Sequence, residues 1–574
     1  MKKRFYLTIT FLFLNCFFYG QINNLPYPII FIHGLNSSDE AFREFMFFLR
    51  DNYNLGEINV FDVVLNADND IYTAILDEDV KWYDFYYNGD YINVGRRNFA
   101  EDLDDMHDGW VTSNIFAINF KEERIRGAAG FFNDYFDYSN QAAIFKQGYA
   151  LRPMIYEVLN FTGAKKVILV GHSMGGLAIR EYLQRTDDNN VHINWINPYE
   201  EDGHKVAKVI TIGTPHLGSN AGFDPTKANI ISEKSEAIRD LKWSYDSYTN
   251  CDTEPIGIYL FGGNEYCIAS TEDNETFYNV DINCNGYSFD NIIGINFNTY
   301  DNPYMPLPMN IPYVWITSIW GEWNGIVGDG VVNIDRQWLR IGQTPAPVGI
   351  TDTLLTFVFH TSETEDFPTI IRALDVPDNF DFSYELELDK EYIEFITMQP
   401  FMYNFDNDIF YVRTSPGFLY TVRIDEEYLG SGVRKIEIYN SNRELIISKN
   451  LYYLPDEIIF GPAQQEDIYY IKIIGEASTY NPYVISVSSD FVTSVLDEPC
   501  CDDFNVYYLG NKLIFSRQIS GIVEIYSING KLIHSKNLKN PTKTLNLALS
   551  DGIYIFKNLD NNQLLTKKFC VIKR

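Results

Sequence analysis

Hydrophobic residues change their spacing along the chain, and the change separates two kinds of structure. In the first two-thirds, short apolar runs such as "PIIFI" and "KKVILV" alternate with segments of helical spacing such as "MGGLAIREYL". Short apolar runs between helices are typical of buried parallel strands. Towards the C-terminus, segments such as "LYTVRIDEEYL" and "VRKIEIYN" alternate apolar and polar residues, which predicts half-exposed strands. The pattern therefore predicts an α/β domain followed by all-β modules.

Length and turn signals convert this pattern into a domain prediction. A chain of 574 residues exceeds what a single core organises. We predict a signal peptide, an α/β domain with a mostly parallel sheet and helices on both faces, a β-sandwich and a further all-β C-terminal module. Their predicted ranges are 1–20, 21–378, 379–492 and 500–574, with insertions in the α/β domain at about 66–145 and 220–312. The β-sandwich could bind carbohydrate or a surface, or act as a rigid spacer.

The N-terminus has the pattern of a secretory signal. The basic start "MKKR" is followed by an apolar run that ends at Phe18, and Tyr19-Gly20 precedes Gln21. A lipoprotein anchor at Cys16 is an alternative, although Asn15 stands where such anchors have a small residue. No later stretch reaches about 18 apolar residues, so we expect no transmembrane segment in the mature chain.

Charge and cysteines narrow the classes of partner. The net charge of -33 argues against binding to nucleic acid or to anionic lipid, whose phosphates need Lys and Arg. Three cysteines lie in the second insertion (Cys251, Cys267 and Cys284), and Cys500 and Cys501 are neighbours. No histidine lies among them at zinc-ligand spacing, so the sequence does not predict a zinc site there. In an exported chain they could form disulfides, whose pairing the sequence leaves open.

A serine stands at a glycine-flanked turn between an apolar run and a helical segment. Gly171, His172, Ser173, Met174 and Gly175 fit the pattern G-x-S-x-G, with the run ending at Val170 before it. In a strand-to-helix context this pattern exposes a nucleophilic hydroxyl at the carboxyl edge of a sheet. An ordinary glycine-rich turn would have the same letters, so the remaining catalytic groups must be found independently.

A nucleophilic serine needs a histidine to take its proton and an acid to orient that histidine, and in the α/β-hydrolase order both follow the serine. Asp329 lies on a Gly-Asp-Gly turn beyond the apolar run "YVWITSIW", and His360 ends the run "LLTFVFH". Elimination among the histidines after Ser173 leaves His360 as the base. A plain Asp-Gly turn at Asp329 and a structural His360 are the alternatives.

The oxyanion of an acyl transfer needs two backbone N–H donors. One is expected from Met174, the residue after the nucleophile, and the other from Leu35, which follows the early strand "IIFI" and the turn His33-Gly34. His33 itself is more simply explained as a hydrogen-bonded structural residue.

The motifs "FIHGL", "VGHSMGGLAIR", "VITIGTPHLGS" and "GDGVV", followed by a late histidine, together resemble the lipase-like α/β-hydrolases, including bacterial triacylglycerol lipases and the GPI inositol deacylase-like group. The resemblance covers roughly residues 25–375. It implies an esterase with Ser173, Asp329 and His360 as the triad, Leu35 and Met174 as oxyanion donors, and His216 as a structural residue. It implies no organic cofactor.

The second insertion contains a partial calcium loop. Asp281, Asn283, Asn285 and Gly286 occupy the first, third, fifth and sixth places of the pattern, but Ile292 stands where the bidentate Glu belongs. Calcium binding is one interpretation, and an Asx-rich turn is the other. The aromatic residues of both insertions could bind acyl chains or form the core of a cap.

The C-terminal module resembles the type A sorting domain of type IX secretion. Its segments "GIVEIYSINGKLIHSKNL" and "GIYIFK" form alternating strands around an Asn529-Gly530 hairpin turn. The resemblance implies export across the outer membrane to the surface or the medium, with the type IX machinery as partner. His534 belongs to this module, which excludes it from catalysis.

Together these observations predict a secreted serine hydrolase of carboxylic esters, with lipid acyl esters as substrates. The same triad could serve an amidase or peptidase, and an inactive surface-binding protein is a third alternative.

Overall fold

The structure is a computed structural model that describes residues 22–65, 106–184, 205–219, 307–337, 351–397, 405–491 and 504–571, with short gaps inside several of these ranges, strand segments between 85 and 99, and residues 237 and 241. The predicted signal peptide, about half of the first insertion and most of the second insertion lie outside the described residues. The chain divides into two compact units. Unit 1 comprises Met1–Tyr384 and Tyr392–Met398, and unit 2 comprises Glu385–Glu391 and Gln399–Arg574.

The elements of the first part of the chain follow a β/α order. The described strands are β1 (Ile29–Ile32), β2 (Asn59–Asp62), β3 (Phe85–Tyr87), β4 (Asp90–Ile92), β5 (Gly95–Phe99), β6 (Met106–Asp108), β7 (Ile115–Asn119), β8 (Arg124–Arg126), β9 (Phe136–Tyr138), β10 (Val167–His172), β11 (Val206–Ile212), β12 (Tyr313–Ser318), β13 (Gly321–Trp323), β14 (Ile326–Gly328) and β15 (Thr351–Thr356). The described α-helices are α1 (Arg43–Tyr53), α2 (Ile144–Thr162), α3 (Met174–Gln184) and α4 (Phe367–Leu374). Short 3-10 helices cover Asp39–Phe42, Ser139–Gln141, Ile334–Arg336, His360–Glu365 and Phe380–Phe382.

Among the described residues, nine strands form one sheet in the order β15-β12-β11-β10-β1-β7-β2-β5-β6. Every pairing from β15 to β2 is parallel, and β5 and β6 add an antiparallel edge. Parallel strands are buried on both faces, which explains why β1 and β10 are continuous apolar runs with no exposed residue. This architecture is the predicted α/β-hydrolase fold.

The core of unit 1 lies between this sheet and the helices. Buried side chains of β1, β10 and β11 pack with those of α2 and α3, including Leu169, Val209, Met154 and Ile179. Parallel strands all present their carboxyl ends at one edge, and ligands of open α/β sheets bind there. Residues that follow β1, β10, β12 and β15 are therefore brought to the same edge.

One sequence prediction about a strand end needs correction. The run "LLTFVFH" was expected to stay in a strand up to His360, but β15 ends at Thr356 and His360 begins a 3-10 helix. Beyond β15, Phe357 is exposed and the Phe359 ring packs on Trp320, with ring centroids 5.1 Å apart. Asp329 lies on a turn beyond β12, and the hairpin of β13 and β14 stands between them.

The later strands are β16 (Tyr384–Glu385), β17 (Glu391–Phe395), β18 (Asp406–Thr414), β19 (Phe418–Glu426), β20 (Val433–Tyr439), β21 (Leu445–Asn450), β22 (Asp456–Phe460), β23 (Asp467–Gly475), β24 (Pro482–Phe491), β25 (Val506–Leu509), β26 (Lys512–Ser527), β27 (Leu532–Asn546), β28 (Gly552–Asp560) and β29 (Gln563–Val571). Within unit 2, one antiparallel sheet holds β18, β23, β20 and β21 in that order, and another holds β24, β19 and β22. The alternating burial of β18 and β19 fits sheets with one face in a core.

The C-terminal strands form a separate antiparallel sheet. Its order is β25-β26-β28-β29, with β27 also paired to β26. Phe515, Val523, Ile525 and Phe556 form its core. The predicted hairpin joins β26 to β27, where Tyr526 pairs with Leu532, while the turn residues themselves lie outside the described part of the chain.

Candidate active site

Ser173 lies at the sharp turn between β10 and α3. Its φ of +53° is in the left-handed region, which costs a residue with a side chain and persists only where surrounding structure holds it. The Ser173 N–H donates a hydrogen bond to the Ile212 carbonyl at the end of β11, 2.8 Å away. The neighbouring strand therefore holds the serine in this conformation, at the N-terminus of a helix where N–H groups favour an anion.

Small residues around Ser173 permit a close approach of the β1 loop. A Cβ atom on Gly34 would lie 2.7 Å from Ser173 Cβ and 3.2 Å from its Oγ. A Cβ atom on Gly175 would overlap the Ile32 carbonyl oxygen. The loop that follows β1 is thus packed directly against the serine hydroxyl.

Asp329 and His360 form a buried hydrogen-bonded pair. The His360 Nδ1–H donates to Asp329 Oδ2 at 2.8 Å, and the His360 backbone N–H donates to the Asp329 carbonyl at 3.0 Å. Asp329 is fully buried, and His360 is 6% exposed. With Nδ1 occupied, the imidazole has Nε2 left to exchange a proton with a substrate or nucleophile.

The second oxygen of Asp329 is fixed by the turn that carries it. Oδ1 accepts hydrogen bonds from the backbone N–H groups of Val331 at 2.7 Å and Val332 at 2.6 Å. Oδ2 also accepts one from Gln337 Nε2 at 3.1 Å. A carboxylate with several N–H donors is fixed in orientation, which suits an acid that orients a histidine.

His172 connects this pair to the serine turn. Its ring lies 4.8 Å from the His360 ring, measured between centroids, and its Nε2 donates to the His360 carbonyl at 3.0 Å. Because His172 directly precedes Ser173, the base and the serine are neighbours at the same edge of the sheet. The hydrogen bonds of the described residues include none between Ser173 Oγ and His360.

A second carboxylate faces the His360 ring. Glu363 lies in the same 3-10 helix, is fully buried, and has Oε2 3.2 Å from His360 Nδ1. Burial lowers the pKa of His360, but the Asp329 and Glu363 carboxylates outweigh burial and raise that pKa to about 10. Sequence reasoning missed Glu363, and its only signal was an acid three residues after the predicted base.

The two predicted oxyanion residues flank the serine. Met174 is the first residue of α3, and its buried side chain packs with Leu177, while Leu35 lies partly buried against the same cluster. Leu35 follows Gly34, which contacts Ser173 as described above. Their role as N–H donors remains a prediction from the motif.

Two further histidines of unit 1, His33 and His216, have structural environments. His33 Nδ1–H donates to the Gly34 carbonyl at 2.8 Å, and its Nε2 accepts from the Phe120 N–H at 2.9 Å, which is the hydrogen-bonding pattern of a neutral ring. Burial lowers the pKa of His33 to about 4. His216 is buried next to Trp315, and its Nε2 is 2.9 Å from Thr211 Oγ1. His534 lies in β27 of the C-terminal module.

A metal could be held by one group of residues beside the triad. In the described part of unit 1, His172, His360 and Glu363 present ligand atoms that all lie within 4.8 Å of one another. A cation there would compete with Asp329 for His360 Nδ1. The predicted calcium ligands Asp281, Asn283 and Asn285 lie outside the described residues, so calcium binding stays a prediction.

Residues 26–249 match the PGAP1-like alpha/beta domain family, and residues 498–573 match the secretion system C-terminal sorting domain. Lipase 2 of Staphylococcus aureus is 41% identical over 81 residues, which cover 12% of this chain and 12% of that protein. The chain thus spans a small part of the length of the curated relatives it matches.

Two solved structures are also similar. The product of the gene lin2722 from Listeria innocua is 13% identical, with a TM-score of 0.28. The aligned part covers 60% of this chain and 91% of the Listeria chain. A proposed cell surface hydrolase from Lactobacillus plantarum is 14% identical, with a TM-score of 0.27. The aligned part covers 60% of this chain and 90% of the Lactobacillus chain.

The chain therefore carries a PGAP1-like α/β-hydrolase domain and a type IX sorting domain. A sorting domain of this type indicates export, to the cell surface or to the medium. Within the described residues, no helix has the length and apolar character needed to cross a membrane.

Proposed function

We propose that this chain, which carries a PGAP1-like α/β-hydrolase domain, is an exported serine hydrolase that cleaves carboxylic esters of lipids. The observation that carries the proposal is the pairing of Asp329 with His360 at the sheet edge where Ser173 stands in a left-handed turn. An acid, a base and a partly exposed serine from separate loops at one edge form the constellation that acyl transfer requires.

In this mechanism, His360 Nε2 takes the proton of Ser173 Oγ as the oxygen attacks the ester carbonyl. Asp329 holds the imidazolium through Nδ1, and the N–H groups of Leu35 and Met174 stabilise the tetrahedral oxyanion. The tetrahedral intermediate then collapses: the bond from the acyl carbon to the alcohol oxygen breaks, His360 donates its proton to that oxygen, and the acyl group stays on Ser173 Oγ. A water molecule, deprotonated by His360, releases the acid and restores Ser173.

A lipid substrate is favoured by apolar residues exposed beside the catalytic loops. Ile319 and Trp320 directly follow β12, and Phe357 directly follows β15, so all three lie at the carboxyl ends of parallel strands. Trp320 is 45% and Phe357 69% exposed. Large apolar side chains exposed together mark surfaces that bind apolar ligands or lipid aggregates.

The nucleophile is tested by fluorophosphonate labelling of the full chain, followed by hydrolysis of nitrophenyl esters with short and long acyl chains. Labelling and hydrolysis are expected for the wild type and for the control Ser448→Ala, which replaces an exposed serine of unit 2. Ser173→Ala is expected to lose both. Full activity of Ser173→Ala would contradict the proposal, and absence of labelling in the wild type would favour a surface-binding protein.

The substrate class needs a second comparison. Peptide and amide substrates assayed beside the esters distinguish an esterase from a peptidase with the same triad. Trp320→Ala is expected to reduce hydrolysis of long-chain esters more than that of short-chain esters, whereas Tyr453→Ala, at an exposed aromatic of unit 2, should affect neither. Equal effects of Trp320→Ala on both chain lengths would count against a lipid substrate.

A further inference from the structure

Glu363 is a buried carboxylate whose position between two imidazoles has no role in a three-residue triad. Its Oε2 lies 3.2 Å from His360 Nδ1 and 3.3 Å from His172 Nε2. Each of these nitrogens has a shorter contact elsewhere, His360 with Asp329 and His172 with the His360 carbonyl. Among the described residues, no hydrogen bond of ordinary geometry reaches either oxygen of Glu363.

An ionised carboxylate without hydrogen bonds is costly to bury unless a positive charge lies close to it. Above its pKa of about 10, where His360 can accept a proton, the His360 ring that faces Glu363 is neutral. When the proton of Ser173 moves to His360, the ring becomes a cation 3.2 Å from this carboxylate. The attraction between Glu363 and His360 is therefore stronger after the proton transfer than before it. An interaction that strengthens along the reaction lowers the barrier.

The neighbouring strand provides a dedicated space for this side chain. Gly213 follows β11 with φ of +55°, and a Cβ atom there would overlap Glu363 Oε2. Gly213 is the first residue of the motif "GTPHLGS". The absence of a side chain at Gly213 thus has two consequences, since it permits the left-handed turn and leaves room for the carboxylate.

The charged groups around His360 come from every element packed on it. Asp329 follows β14, Glu363 belongs to the same 3-10 helix as His360, and His172 ends β10. The 3-10 helix Asp39–Phe42 presents the Phe42 ring to His172, and its Asp39 is paired with Arg97 at 3.0 Å. Among the described groups, the two carboxylates in contact with the ring both favour its protonated form.

We propose that Glu363 is a second positioning acid of this site, which holds the His360 ring against Asp329 and stabilises the imidazolium formed when Ser173 attacks. This inference rests on the proposed serine hydrolase function. The proton of Ser173 Oγ moves to His360 Nε2, the Nδ1 proton stays on the ring, and Glu363 itself gains and loses no proton. Asp329 supplies orientation through a direct hydrogen bond, and Glu363 supplies charge.

The test compares Glu363→Gln with Glu365→Gln, which makes the same chemical change at an exposed residue of the same 3-10 helix. The pH profile of kcat/KM is measured with a nitrophenyl ester between pH 5 and 11. All buffers contain EDTA, because His172, His360 and Glu363 could also bind a divalent cation.

Glu363→Gln is expected to move the acid limb of the profile to lower pH by about one to three pH units, since an opposite charge this close favours a charged ring by that amount. Its kcat on the alkaline plateau should fall about ten- to hundredfold, less than the roughly 10²- to 10⁴-fold that a complete general acid–base group contributes, because His360 and Asp329 remain. Glu365→Gln should match the wild type. An unmoved acid limb in Glu363→Gln would overturn the proposal, whatever the loss of kcat, because a purely structural role predicts only a uniform loss.

Glu363→Asp keeps the charge and shortens the side chain. It is expected to retain the acid limb of the wild type while losing part of kcat, so it separates the effect of charge from that of packing. If the acid limb of the Glu363→Asp profile shifted as far as that of Glu363→Gln, the charge of Glu363 would have no role.

A second readout needs no turnover. Histidine labelled with carbon-13 is titrated by NMR in the full-length Ser173→Ala chain, with His360→Gln identifying the His360 signal. Glu363→Gln should lower the pKa of His360 in this background. If the wild type hydrolyses no ester but this change occurs, the proposed function fails and the Glu363–His360 coupling stands. If esters are hydrolysed and no change occurs, the proposal for Glu363 fails.

Discussion

Buried ionisable groups lie near both ends of β11, and their pKa values are shifted towards opposite charge states. Near its amino end, Lys208 is buried with Glu394, and its Nζ donates to the Asp375 carbonyl oxygen. Burial lowers the pKa of Lys208 despite nearby acids, and burial raises the pKa of Glu394 to about 8 despite Lys208. Both groups are therefore moved towards their neutral forms.

At the carboxyl end of the same strand, His360 is moved towards its charged form instead. Acids lie near the cation at both ends, so proximity of acids does not explain the difference. His360 donates directly to a carboxylate, whereas Lys208 donates to a main-chain carbonyl. A direct hydrogen bond to a carboxylate compensates burial where a more distant acid does not. The carboxyl end is thus organised to hold a charge, and the amino end is organised for packing.

Removing the carboxylate of Asp329 should break this comparison most strongly. Asp329→Asn is expected to reduce kcat/KM for a nitrophenyl ester by about 10³- to 10⁴-fold, because the amide no longer fixes the tautomer and charge of His360. Asp335→Asn, at an exposed acid in the following 3-10 helix, serves as the control and should behave as the wild type. A loss below about tenfold would show that Asp329 does not orient the base.

Removing the buried amine at the amino end should change stability and leave catalysis unchanged. Lys208→Met loses the buried hydrogen bond to the Asp375 carbonyl oxygen and is expected to lower the free energy of unfolding by about 1–3 kcal/mol, measured by denaturant titration. Lys205→Met, at an exposed lysine just before β11, should cost little. The kcat of folded Lys208→Met protein should equal that of the wild type, and a large decrease would mean that the two ends of β11 are coupled.

Filling the space at Gly213 tests whether the carboxyl end is built around Glu363. Gly213→Ala combines a left-handed φ with overlap on the carboxylate, so a loss of about 1–3 kcal/mol in the free energy of unfolding is expected. The double variant Gly213→Ala with Glu363→Ala should recover part of that loss, because the overlap is gone. Additive losses in this double-mutant cycle would show that the two residues do not interact.

A pH dependence of stability should also distinguish the two ends. Glu394 has its pKa raised from 4.5 to about 8 in the folded chain, so the folded state binds more protons between these values, and stability falls as pH rises from 4.5 to 8. His360 contributes stability that is complete below pH 6.5 and is lost as pH rises through about 10.

Each group should contribute a slope of at most about 1.4 kcal/mol per pH unit to the free energy of unfolding within its window. Denaturant titrations across pH 4.5–10 measure this slope. Glu394→Gln should flatten the lower window only, and His360→Gln the upper window only. Slopes that are unchanged in both variants would contradict the assignment of either group.

The sequence was sufficient for the fold, because β1 and β10 contain continuous apolar runs and the Gly-His-Ser-Met-Gly turn joins a strand to a helix. Spacing and chain order also selected Asp329 and His360, which the fold brings into a hydrogen bond. Their catalytic roles, with that of Ser173, stay predictions until activity is measured. The C-terminal sorting domain was predicted from its alternating strands and is confirmed by the family match.

The features that could not be predicted from the sequence depend on contacts between residues that are distant along the chain. Glu363 is one of many acids in an acidic chain, and only Gly213 and the two rings around it distinguish it. The burial of Lys208 could not be predicted either, since no local pattern separates a buried lysine in an apolar strand from an exposed one. The end of β15 was misplaced because Phe357 and Phe359 prolong an apolar run although the chain has left the sheet.

The acid and the base are joined twice, once through their side chains and once through the His360 N–H and the Asp329 carbonyl oxygen. A displacement of either loop must therefore carry the other with it, so the carboxylate and the imidazole travel as one body. Ser173, in contrast, is anchored to Ile212 on the sheet. The hydrogen bond from His172 to the His360 carbonyl oxygen links this body to the serine turn, so under the proposed function the separation from the imidazole to the alcohol is the one that a substrate has to adjust.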